Sequence, residues 1–237
     1  MTETRDFSYL DRNLAGIRQK LAAAAARSPY GQEPRLLLAS KYATAEEMNY
    51  CAAAGVRLFG ENRVPALLEK LDRLELAGGE LHFIGSLQTN KVKYVVGRVA
   101  LIHSLDSLRL AEEIEKQAEK RGIVQDVLVE INSGREENKG GILPEDTGDF
   151  LDRALAFPHL RVRGLMTMAP VCEEKEEYRK YFRETYHIFI DIFEKKLHNI
   201  GRYNDTPILS MGMSDSFEIA VEEGANLVRV GRAAFAK

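Results

Sequence analysis

Leu10, Leu14, Ile17 and Leu21 recur at helical spacing ahead of an alanine run that ends near Arg27, which predicts an amphipathic N-terminal helix. Ser28-Pro29-Tyr30-Gly31 stops it. From there, short apolar runs alternate with longer helical patterns, the rhythm of βαβ units around a parallel sheet. The predicted strands span residues 35–40, 57–60, 82–85, 100–105, 126–132, 162–168, 207–210 and 227–231. None alternates cleanly between apolar and polar positions, as expected of strands covered on both faces. Thr44-Ala45-Glu46-Glu47 reads as a capping box opening a helix that ends before Gly55. Pro144 suits the first turn of another helix, and Gly122 follows the last turn of a third. The longest helical pattern covers 173–199, and its charge run Glu173-Glu174-Lys175-Glu176-Glu177 reads as a solvated face.

Eight strands interleaved with helices close most economically into a (β/α)8 TIM barrel. An open doubly wound sheet would carry a Gly-rich turn after its first strand, where this chain has Ser40-Lys41-Tyr42. The expectation is an α/β fold, residues 1–237 forming one barrel domain with an extra N-terminal helix. A chain of 237 residues with 45% hydrophobic residues can bury such a core. A formal charge of -3 supplies no broad cationic field, so neither nucleic acid nor a membrane is an expected partner. Two cysteines are too few for a disulfide framework; Cys51, beside an alanine run, reads as core packing. Met1-Thr2-Glu3-Thr4-Arg5-Asp6 lacks the pattern of a secretory signal, and no apolar segment reaches the roughly 20 residues that span a bilayer. A cytoplasmic protein is expected.

In a barrel of this kind chemistry gathers at the C-terminal ends of the strands, often with a phosphate site in the loops after the last two. Those loops are Ser210-Met211-Gly212-Met213-Ser214 and Gly231-Arg232. Gly231 permits close backbone approach, and the Arg232 fork suits phosphate oxygens. Ser214-Asp215 could equally be an ordinary helix cap. Lys41 follows the apolar Leu36-Leu37-Leu38-Ala39, which predicts an ammonium near the barrel axis, desolvated and made nucleophilic. Because strand eight pairs with strand one on closure, Lys41 should stand beside the phosphate loops, with room for a phosphorylated aldehyde between them. Arg229 lies within an otherwise apolar strand and needs a partner: either an ion pair with Glu61 or Glu130, or a ring nitrogen. An arginine facing a pyridine keeps that nitrogen unprotonated and the ring a weaker electron sink.

Several segments carry a family resemblance. Leu38-Ala39-Ser40-Lys41, Phe59-Gly60-Glu61-Asn62, His82-Phe83-Ile84-Gly85-Ser86-Leu87-Gln88-Thr89-Asn90-Lys91, Arg163-Gly164-Leu165-Met166, Leu209-Ser210-Met211-Gly212-Met213-Ser214-Asp215 and Val228-Arg229-Val230-Gly231 together resemble the YggS/PROSC (PLPBP) family. These are pyridoxal 5'-phosphate (PLP) homeostasis proteins, similar in fold to the alanine racemase barrel, PLP fold type III. The resemblance implies a PLP carrier or regulator in vitamin B6 homeostasis, with no robust catalytic activity. It implies an internal aldimine on Lys41, phosphate contacts from Ser210, Ser214 and the Gly231-Arg232 turn, Arg229 facing the pyridine nitrogen, and Asn62 approaching the cofactor. Met211, Gly212 and Met166 join the site as motif members. Asn138-Lys139-Gly140-Gly141 matches the family's loop after strand five, which makes Lys139 a secondary candidate. Two departures stand out. Arg232 occupies a position where the family commonly has a small hydroxyl residue, and the sequence stops at Phe235-Ala236-Lys237, short of the usual charged tail, which predicts a looser mouth.

The expected partners are PLP and apo PLP-dependent enzymes, and a monomer suffices. Three other functions share parts of this pattern. A weak PLP-dependent amino-acid racemase needs two bases on opposite faces of the substrate α-carbon, and Tyr42, the tyrosine beside Lys41, reads as packing. A Schiff-base aldolase acting on a sugar phosphate would need an acid/base group, for which Glu61 is the candidate. A cofactor-free scaffold would take up no PLP at all.

Overall fold

The computed structural model describes residues 6–192 and 206–237. Helix α1 (Ser8–Arg27) precedes β1 (Arg35–Ala39), α2 (Ala45–Ala53), β2 (Leu58–Glu61), α3 (Val64–Leu71) and β3 (Glu80–Phe83). A 3-10 segment, Thr89–Tyr94, takes the place of a helix before β4 (Leu101–Leu105). Then come α4 (Leu108–Glu119), β5 (Gln125–Ile131), α5 (Thr147–Ala154), β6 (Leu160–Thr167), α6 (Tyr178–Ile192), β7 (Ile208–Ser210), α7 (Phe217–Glu222), β8 (Leu227–Val230) and α8 (Arg232–Phe235). The strands pair in chain order and close into a barrel. Closure sets Leu36 opposite Val228, Leu37 opposite Arg229 and Leu38 opposite Val230, all in parallel register.

All eight expected strands are present, their ends within two residues of those read from the sequence. The capping box forms: the Thr44 hydroxyl accepts from the Glu47 N–H at 3.2 Å, and the Glu47 carboxylate accepts from the Thr44 N–H at 2.7 Å. Gly122 sits at φ +63 just beyond α4, and Pro144 opens a 3-10 turn that runs into α5. The pattern over 173–199 differs. Its charged start is exposed and forms a 3-10 turn, Lys175–Glu177, so the helix begins only at Tyr178; the part beyond residue 192 lies outside the described residues.

Alternation along each strand divides the apolar residues between two cores. Leu38, Phe59, Phe83, Ile102, Val127, Leu165, Leu209 and Val228 belong to the outer one, beneath the helices. Leu10, Leu14, Ile17 and Leu21 bring α1 into it, against α7 and α8. Leu37, Leu58, Ile84, Leu101, Leu128, Met166, Ile208 and Leu227 form a second cluster that fills the barrel. Removing one such side chain to its β-carbon typically costs about 2–5 kcal/mol. Two residues further along, the same inward series turns polar: Arg229 follows Leu227, Ser210 follows Ile208, Glu130 follows Leu128 and His103 follows Leu101. The site therefore rests on an apolar plug.

The β2 and β3 ends meet at Gly85, where a Cβ would lie 2.0 Å from the Asn62 carbonyl oxygen. Backbone cannot swing aside as a side chain can. Gly85→Ala is expected to lower the urea midpoint by the equivalent of about 2 kcal/mol without changing the denaturant slope. An unchanged midpoint would mean that the two loops separate freely.

Candidate functional site

β1 ends at Ala39, and the chain turns at once. Ser40 is fully buried; its N–H donates to the Gly60 carbonyl at 2.9 Å and its hydroxyl to Glu61 Oε1 at 2.8 Å. Lys70, from α3, donates its Nζ to the same Glu61 oxygen at 2.6 Å and to the Ser40 carbonyl at 2.9 Å. This buried ion pair ties an outer helix to the residue before Lys41. Lys41 and Tyr42 form the turn above it, both exposed, with the ammonium 4.8 Å from the Tyr42 ring centroid. Two expectations are thereby corrected. Lys41 is not desolvated at the axis, because the strand ends two residues before it, and Tyr42 is 79% exposed instead of packed. The engagement of Glu61 with Lys70 also removes the acid/base group that an aldolase would have needed.

Above the plug lies a cavity of about 580 Å³, within the range of small-ligand sites. Lys41, Asn62, Ser214, Arg229, Gly231 and Arg232 all line it, so closure brings the amine and the last two loops to one place. Ile84, Met168, Met213 and Phe235 supply apolar wall. The Ser214 hydroxyl accepts from the Ala233 N–H at 3.4 Å, linking the two loops. Ser214-Asp215 is not a cap: Ser216 precedes α7, and its hydroxyl accepts from the Met213 N–H at 3.2 Å. Arg232 is exposed and paired with Asp215, so its charge is already partly answered. The smallness of Gly231 serves the β8–β1 seam, since a Cβ there would come within 2.9 Å of the Ala39 carbonyl oxygen. Asn62 Oδ1 is buried with no hydrogen-bond partner. An orphaned acceptor in the wall of such a cavity fits a ligand that brings its own donor.

Arg229 is buried, donating from Nη1 to Ser210 Oγ at 2.7 Å and from Nη2 to the Thr167 carbonyl at 2.9 Å. It makes no ion pair with Glu61, which Lys70 holds, nor with Glu130. Burial lowers its pKa to about 10, with Glu130 opposing, so the guanidinium stays charged at neutral pH. Glu130 is pushed up to about 7 by burial and by Asp106, with Arg229 opposing. Ser210, Met211, Gly212 and Met166 do not line the cavity. Ser210 lies beneath Arg229, Met211 is in the outer core, and Met166 is in the plug. Gly212, at φ +89, lets the loop after β7 turn back to where a Cβ would stand 2.8 Å from Phe217 Cα. Lys139 is paired with Glu136 at 2.6 Å and also stands apart from the cavity lining. Lys70, His82 and His103 were not anticipated as part of this assembly. Strand parity could have exposed the histidines, since His82 precedes Ile84, and His103 follows Leu101, by two residues.

A family model describing the alanine racemase N-terminal domain matches residues 13–236. A pyridoxal phosphate homeostasis protein of Aquifex aeolicus (strain VF5) is 43% identical over 223 residues, covering 94% of this chain and 95% of that protein. The chain belongs to the pyridoxal phosphate homeostasis protein family. A homeostasis protein of Escherichia coli (strain K12) is 35% identical, with 94% of each chain covered. Among solved structures, PipY of Synechococcus elongatus PCC7942 with PLP bound superposes with a TM-score of 0.80 at 28% identity, covering 96% of this chain and 100% of that one. Alanine racemase of Clostridium difficile 630, 18% identical with a TM-score of 0.75, shares the fold; 57% of its length is covered. The family read from the motifs is therefore the family found, and the homeostasis-protein barrel is the racemase-like barrel expected. Among the described residues no helix is long and apolar enough to cross a membrane.

Two outcomes test this geometry. Lys70→Met leaves the buried Glu61 carboxylate without its ion-pair partner, and is expected to cost about 3–5 kcal/mol by denaturant unfolding, most of it recovered when Glu61→Leu is added. A carboxyl raised from 4.5 to about 7 favours the fold while protonated and loses that contribution as pH rises through this window. Glu130→Gln should therefore match the parent at pH 4 and exceed it by about 1–3 kcal/mol at pH 8. Equal stabilities at pH 8 would contradict the burial argument.

Proposed function

We propose that this chain binds PLP at the barrel mouth and serves vitamin B6 homeostasis, holding the cofactor through Lys41 and releasing it to apo-enzymes in the cytoplasm. Residues 1–237 act as one PLP-binding barrel domain, a monomer sufficing because amine, cradle and arginine all come from one chain. The observation that carries this reading is the shared cavity, with Lys41 on one wall, Ser214 and the Gly231-Arg232 turn on another, and the unpartnered Asn62 Oδ1 between strands. The naming of relatives as PLP homeostasis proteins and the PLP bound to PipY support it.

PLP supplies an aldehyde that condenses with a primary amine and a ring that withdraws electrons from it. In this chain Lys41 Nζ is the amine, and Ser214 with the Gly231-Arg232 turn receives the phosphate, at some competition between Asp215 and phosphate for Arg232. Arg229, buried in the wall of the same cavity, would present its remaining N–H groups to the ring nitrogen; a guanidinium donor there would keep that nitrogen unprotonated and disfavour demanding carbanion chemistry. Asn62 Oδ1 accepts from the ligand. The carrier reading follows from this arrangement: the ring is held but not strongly activated. The racemase alternative gains nothing from the geometry, because Tyr42 stands on the same turn as Lys41 while racemisation needs bases on opposite faces.

Borohydride reduction of protein saturated with PLP, followed by peptide mass analysis, should place a pyridoxyl group on Lys41. Lys41→Ala should lose most of the visible absorption band. An adduct on another lysine, or none, would sink the assignment.

A further inference from the structure

Beneath Arg229 a line of buried polar groups crosses the whole barrel. Ser210 Oγ stands 2.7 Å from Arg229 Nη1 and 3.2 Å from His103 Nδ1; His103 Nε2 is 3.0 Å from His82 Nδ1, and His82 Nε2 is 3.2 Å from Glu80 Oε2. Ser210, His103 and His82 are almost wholly buried, whereas Glu80 reaches solvent at the opposite rim. There it lines a separate cavity of about 490 Å³ together with Arg18, Arg35 and Arg57.

The direction of every bond in this line follows from its two ends together, a guanidinium and a carboxylate. A guanidinium only donates, so Ser210 Oγ accepts from Arg229, and a carboxylate only accepts, so His82 Nε2 carries the proton given to Glu80; the hydroxyl proton then goes to His103 Nδ1. Burial, reinforced by the charges of Arg229 and Arg35, holds His103 well below the usual histidine range, and burial lowers His82 as well, so both rings are neutral. With Nδ1 accepting, the one proton of His103 is on Nε2 and is donated to His82 Nδ1. The one proton of His82 is then also on Nε2, and it is donated to the Glu80 carboxylate. The reverse order would point a bare His82 nitrogen at a carboxylate and strand the serine proton. Four bonds thus run head to tail from a cation to an anion, and each donor fixes the next.

We infer that Ser210, His103 and His82 are positioning residues for Arg229, anchoring one edge of its guanidinium to the barrel interior so that the remaining N–H groups face the cofactor ring. This rests on the proposed PLP site, and it moves Ser210 from the phosphate to the arginine. Loss of the Ser210 hydroxyl leaves Arg229 Nη1 and His103 Nδ1 both buried without that partner, and leaves the guanidinium held by its bond to the Thr167 carbonyl alone.

Pyridoxal, which lacks the phosphate, separates the two roles of Ser210. Titration by the visible band should show Ser210→Ala weakening PLP and pyridoxal alike, each by about tenfold, with Ser210→Thr restoring both. Ser214→Ala should weaken PLP alone. Nitrogen NMR of the cofactor-free protein should find His82 and His103 neutral, each with its proton on Nε2, a readout that needs neither variant to fold. Ser210→Ala weakening PLP while sparing pyridoxal would return Ser210 to the phosphate, and an Nδ1–H or protonated ring would overturn the column. Failure of the parent protein to take up either aldehyde would instead sink the PLP reading, and the positioning role with it, while the histidine tautomers still decide the direction of the column.

Discussion

The seam between β8 and β1 is the constraint on which the molecule depends. Parallel strands cannot be joined by tight hairpins, so the first and last strands of the sheet meet only because six others, with their crossovers, bend it into a ring. That meeting sets Arg229 level with Leu37 and brings the Gly231-Arg232 turn beside the turn that carries Lys41. Residues nearly two hundred positions apart become neighbours through backbone hydrogen bonds alone. The close packing of Gly231 against Ala39 shows how little slack the seam holds.

On this frame the barrel interior is stratified. An apolar plug fills the middle, and polar side chains lie on either side of it and, through His82, His103 and Ser210, pass along it. The charges inside are handled differently from one another. Lys70 and Glu61 neutralise each other directly, with Ser40 as a third partner. Arg229 has no such counterion and is satisfied by a hydroxyl and a carbonyl, while the pKa of the nearby Glu130 is raised by its burial and by Asp106. A region whose charges are only loosely balanced is one where a charged or polar ligand changes the electrostatic account most.

Much of this was legible in the chain. The strands declared themselves as short apolar runs, and the capping box at Thr44 and the loop residues Ser214 and Gly231 could be read from residue type and place. The family motifs singled out Lys41, Asn62 and Arg229, and all three line one cavity. What could not be read was how far each side chain lies from the axis. Lys41 follows an apolar strand, yet the strand stops two residues earlier, so the amine emerges at the rim. The partner of Arg229 was sought among carboxylates because charge is visible in a sequence, whereas the hydroxyl of Ser210 and a backbone carbonyl are not conspicuous as partners. Lys70 was unreadable for a related reason: it lies on a helix, nine residues from Glu61, where a lysine is ordinarily solvated.

The exposed turn that bears Lys41 has a consequence for lifetime. Enzymes that commit a carbonyl to chemistry enclose the carbon–nitrogen bond and keep water from hydrolysing it. At an open rim such as the one that bears Lys41, a bond of that kind would be within reach of water and of any passing amine, so solvent access would limit the stay of a ligand joined there. On the proposed reading such a berth would suit traffic better than turnover, since a bond that solvent can reach is also one that another amine can take over.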